Sequence, residues 1–137
     1  MLGQKIDYDI STEHKRNKVK RAVTWSFKAA SLTTLAEATA ELSQLAEVDL
    51  PATAPQKYTA MSWDQARTLE KKGMCFGAHT TRHALLSAES DEVADYEITT
   101  SIQVLRQQMA KAAEIFCYPT GRYCDFSARD ATFVANN

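Results

Sequence analysis

The 137-residue sequence has no long apolar run, and its formal net charge is only −1. The first absence excludes a helix that spans a bilayer. The second excludes a strong field that would draw the chain to nucleic acid or to a membrane surface. There are three cysteines and no Cys-x-x-Cys spacing, which argues against a disulfide framework and against a zinc ribbon. Cys75 and Cys117 lie in apolar runs and are expected to be buried, inert thiols. Cys124 lies in a polar loop, where a thiol can be reactive. The opening MLGQKIDYDI has no apolar signal core, so a cytoplasmic location is expected for the chain as it stands. Neither an internal repeat nor a low-complexity segment is present.

What is there suits one folded domain. Hydrophobic residues make up 45% of the chain and charged residues 24%, as in ordinary globular proteins. Residues 1–50 read as a polar-faced helical region. Ser11 or Thr12 can cap a helix over roughly 13–30, with Val19, Val23, Phe27 and Ala30 on one face. The run HKRNKVKR, from His14 to Arg21, reads as a solvated helix face, with a phosphate-binding patch as the lesser alternative. A second helix starts near Thr33 or Thr34, with Leu35, Ala38, Leu42 and Leu45 as its stripe. Residues 51–60, with Pro51 and Pro55, form a connector.

Residues 61–137 change character. Ser62 and Gln65 form a capping box, Asp64 suits a first turn, Lys71 and Lys72 a last turn, and Gly73 stops the helix. Met74 to Ala78 is a short apolar run that predicts a buried strand. Ser90 caps a long helix over roughly 91–110, striped by Ala94, Ile98, Ile102, Leu105 and Met109. Ile115 to Tyr118 predicts a second strand, ended by Pro119. This order predicts an α/β fold, rich in helix, with a small parallel sheet and a right-handed crossover. Sites in such sheets gather at the carboxyl ends of the strands.

Two loops fall there. HTTRH places His79 and His83 four residues apart, a spacing that lets two imidazoles converge on one ion if the segment turns. Taken alone, the pair reads as a solvated turn with one ring hydrogen-bonded to backbone; its place at a strand end, beside a second loop, favours the metal site. PTGRYCD follows the second strand, where Pro119 and Gly121 make a tight turn able to turn backbone N–H groups toward a ligand. Arg122, Tyr123 and Asp125 either line a pocket beside it or face water.

With these motifs the chain resembles the middle of a polysaccharide deacetylase of the NodB-homology type, from about Met61 to Phe133. The family's His-Ser/Thr-x-x-His motif is matched by His79, Thr80 and His83. A variant of its third motif, Phe-x-Tyr-Pro-x-Gly, is matched by Phe116, Tyr118, Pro119 and Gly121. The resemblance implies part of a (β/α) barrel that hydrolyses acetyl groups on carbohydrate with a divalent metal, usually zinc. It implies His79 and His83 as metal ligands, the Thr120 backbone N–H as oxyanion donor, and Thr80 as a residue that orients the loop. Tyr118, Pro119, Gly121, Arg122 and Asp125 are candidate pocket residues, with Asp125 the best internal carboxylate for the metal.

The sequence also departs from the family. Its first motif, Thr-Phe-Asp-Asp-Gly, supplies the metal-ligand and base aspartates, and no match occurs here. Asp7 and Asp9 do not fit its spacing. The late motifs with the acid histidine are absent too, and Cys117 stands where many members carry arginine. The N-terminal helices resemble an insertion that some members have between the first and second motifs. The expectation is therefore an internal piece of the domain, with a weak metal site and impaired hydrolysis. A non-catalytic, self-associating or partner-binding module on the same scaffold is the alternative. Unpaired sheet edges predict a homodimer or larger assembly.

Overall fold

The computed structural model describes residues 7–137. The first six residues of the stretch read for a signal core lie outside them. Among these described residues five helices run in order: α1 Glu13–Lys28, α2 Leu32–Leu45, α3 Trp63–Lys71, α4 Asp91–Gln108 and α5 Ala128–Ala135. Single 3-10 turns occur at Gln56–Tyr58 and Leu86–Ala88.

Local chemistry explains where the helices start. The Thr12 side chain accepts from the Lys15 N–H and caps α1. Ser31, rather than Thr33 or Thr34, caps α2 by accepting from the Thr34 N–H. The Ser62–Gln65 capping box opens α3, and Gly73 leaves it at φ +93°, a backbone state that glycine adopts without a Cβ clash. Ser90 caps α4, whose first turn carries Asp91 and Glu92. Helix α5 opens where Asp130 accepts from the Ser127 N–H and hydroxyl.

The core is two clusters. Ala66, Ala78, Leu105 and Met109 form one, packed by Phe76. Leu86, Ala94 and Ile98 form the other, packed by Tyr118, Phe133 and Val134. Ile102 and Phe116 touch both, so α4 is the spine that joins them. Burying Leu86 and Ile98 contributes about 1.5–3 kcal/mol each. Arg129 clamps α5 to α4, donating to Asp91, to the Leu86 and Glu89 carbonyls and to the buried Asp130. Helices α1 and α2 bury no residue fully. They are tied to the body by the Leu32 N–H, which donates to Glu89 Oε1 at 2.6 Å, and by Arg122, 5.6 Å over the Trp25 ring.

The expected α/β fold with a small parallel sheet, part of a barrel, is not what forms. Among the described residues there is no strand, only one parallel bridge between Ala78 and Phe116. Around it Ala78 donates to Ile115, Cys117 to Ala78 and Ala113 to Phe76. The apolar runs put these segments side by side, but each has one neighbour and about four residues. Two such segments fall short of the three or more strands that make a sheet stable by itself.

Nor are Cys75 and Cys117 buried; both are exposed, as is Cys124. Alternation along the extended segments accounts for this. Ala78, Phe76, Phe116 and Tyr118 turn inward, while Cys75, Gly77, Ile115 and Cys117 turn outward. Gly77 lies so near its neighbour that a Cβ there would stand 2.7 Å from the Ile115 carbonyl oxygen.

Candidate active site

The bridge between Ala78 and Phe116 sets the site, because it places the two motif loops side by side. His79 follows Ala78 directly. Its Nδ1 lies 2.8 Å from the Cys117 carbonyl oxygen. A carbonyl only accepts, so the Nδ1 carries a proton, and in a neutral ring the lone pair lies on Nε2. That is the tautomer a metal or a substrate proton would meet. The His79 and His83 rings are 4.8 Å apart between centroids, edge to face at 77°. Both residues are exposed.

Thr80 and His83 have φ of 61° and 59°, the left-handed region that costs a non-glycine residue energy. The turn is held in that shape by Glu97 of α4, whose side chain is fully buried. Glu97 accepts from the Thr81 N–H at 3.0 Å, from the Arg82 N–H at 2.8 Å and from Arg82 Nε at 2.6 Å. Bound to this carboxylate, Arg82 has its pKa raised. The sequence reading passed over Glu97. The signal for it was present: Glu97 sits three residues after Ala94 and one before Ile98, on the buried stripe of α4, where an acid must find donors. The Thr80 hydroxyl, by contrast, is buried with no partner among the described residues. The hydrogen bonds that fix the loop run through Thr81 and Arg82.

The second loop turns at Pro119, which is buried, and Thr120, at φ 63°. The Gly121 N–H donates back to the Pro119 carbonyl at 2.8 Å, closing a tight γ-type turn around Thr120. No acceptor among the described residues takes the Thr120 N–H. Asp125 is buried behind this turn. Arg122 grips it through Nε and Nη2 and through its backbone N–H, and the Thr120 hydroxyl lies 2.6 Å away. The Arg122 guanidinium, helped by that hydroxyl, holds the Asp125 carboxyl well below the usual carboxylate range. The Asp125 carbonyl accepts from the Ser87 N–H, which links the two loops. Tyr118 stacks on Phe126, 4.1 Å between centroids, and burial pushes its phenol upward.

The structure therefore brings His79, His83, Pro119 and Thr120 to one end of the bridge. Asp125 is near in sequence but spent on Arg122. No group of three His, Cys, Asp or Glu side chains among the described residues is placed to hold a metal ion. The two imidazoles fit as donors to a divalent ion, and a third protein donor does not accompany them.

No curated protein and no solved structure matches the chain. The family model for polysaccharide deacetylase matches residues 15–134, from α1 to the end of α5. That span takes in the helical region as well as both motif loops, and the chain belongs to the polysaccharide deacetylase family.

Proposed function

We propose that the chain acts on acetylated carbohydrate through the His79 and His83 loop, with one divalent ion, zinc before others, held by the two imidazoles. The observation that carries this is the His79 hydrogen bond to the Cys117 carbonyl, which leaves Nε2 free to donate beside His83. A bound ion would supply Lewis-acid polarisation of the acetyl carbonyl. The chain's own residues bind and orient: the Thr120 N–H faces charge that develops on the carbonyl oxygen, and the Asp125–Arg122 pair holds that turn in place. Two donors hold an ion far less firmly than a closed four-ligand site. The first-motif aspartates are not matched here, and hydrolysis by His79 and His83 without a base lacks an acid–base contribution of roughly 10²–10⁴.

A second reading, a self-associating module without turnover, is favoured by the outward, uncharged side of the paired segments, where Cys75, Ile115 and Cys117 are exposed. Titration calorimetry with zinc separates the two. Heat with the wild type that is lost in His79→Ala supports the metal-binding reading. Equal, negligible heats for both proteins remove it. Acetate release from an N-acetylated chitooligosaccharide, with zinc added, then tests turnover.

A further inference from the structure

A cleft of about 860 Å³ lies between the N-terminal helices and the two motif loops. This is within the size range of small-molecule sites. Val19, Val23 and Phe27 of α1 and Leu35 and Leu42 of α2 wall it. These residues make up most of the stripes that give the two helices their amphipathic pattern, yet none is fully buried in the fold. His83, Pro119 and Thr120 form its inner end.

The cleft's charge is one-sided. Arg16, Lys20 and Lys28 line it, and no carboxylate among the described residues does. Arg16 and Lys20 belong to the basic run of α1 and lie one helical turn apart. A sugar site needs convergent hydrogen-bonding groups, and here Thr24, Thr120 and His83 are the polar ones beside the cations. A long apolar wall with cations and no acids is complementary to a ligand with an apolar chain and an anionic head.

We propose that this cleft binds a single-chain anionic amphiphile, its hydrocarbon along Val23, Phe27, Leu35 and Leu42 and its anionic group against Arg16 and Lys20, the two cations one helical turn apart. The basic run of α1 then has a role beyond solvation. This binding does not rest on the deacetylase reading.

The test is calorimetry with hexyl, octyl and decyl phosphate, each below its micelle concentration, beside inorganic phosphate and decanol. Affinity should rise with chain length by up to about fourfold per added methylene. Decanol should bind more weakly than decyl phosphate, and inorganic phosphate hardly at all. Lys20→Glu, an exposed substitution, should weaken decyl phosphate several-fold and leave decanol unchanged. Val23→Asp, checked for retained helix by circular dichroism, should abolish the chain-length dependence. Inorganic phosphate binding as tightly as decyl phosphate, no binding of any alkyl phosphate, or indifference of decyl phosphate to Lys20→Glu would each overturn the proposal. None of these readouts needs zinc or hydrolysis, so failure here leaves the deacetylase reading standing, and failure of the zinc and acetate tests leaves this one.

Discussion

Asp125 is 2% exposed, yet it keeps its charge, because Arg122 supplies two guanidinium donors and a backbone N–H to it. A carboxyl held below its usual value of 3.8 stabilises the fold above that pH and loses the contribution as pH falls through the lowered value. Arg122→Leu should therefore cost melting temperature at pH 7, and the gap from wild type should shrink steadily below about pH 4. Thermal unfolding of both proteins across that range checks it; a gap of constant size down to strong acid would show that the pair does not act through ionisation. The residues of this loop were legible in the sequence as polar and near a tight turn. Which of them would be buried was not, because Asp125 disappears behind the turn only once Pro119 has packed inward. The histidines were legible for a simpler reason: their spacing and their place after an apolar run survive any choice of fold for the rest.

Helices were the most legible elements, since caps are local. Ser62 with Gln65, and Ser90 before Asp91, mark their helices from a few residues each. The extended segments were not legible in the same way. Apolar content gave their position, but a strand exists only through its partners, and here one bridge is all that pairing yields. Helix α5 went unread because eight residues carry too little periodicity, although Ser127 and Asp130 stood at capping distance. Between elements, the strongest tie at the site is Glu97, which holds the histidine turn onto α4. Glu97→Ala would strand the Thr81 and Arg82 N–H groups and should cost about 3 kcal/mol. Denaturant unfolding measures that loss, and nuclear magnetic resonance of the imidazoles should show His79 and His83 losing their fixed relative orientation. A variant as stable as wild type would mean that the turn holds without the carboxylate.

At the scale of the whole molecule, the proposed self-association has a defined place to happen. The outward side of the paired segments carries Cys75, Ile115 and Cys117, all exposed and none charged. Both segments also leave backbone groups on their far edges that a further segment can pair with. Sedimentation at increasing concentration should show a shift toward a dimer or larger species, and Ile115→Lys should return it to the monomer; a monomer at every concentration would remove the idea. Gly77 sits in the middle of that same side, and its near contact with the Ile115 carbonyl bears on how natural variation in this segment is to be interpreted. A position open to solvent is ordinarily taken as free to change. Here even alanine would force the segments apart, so a surface position carries the constraint of an interior one, and tolerance inferred from exposure alone would fail at the residue that keeps the two motif loops together.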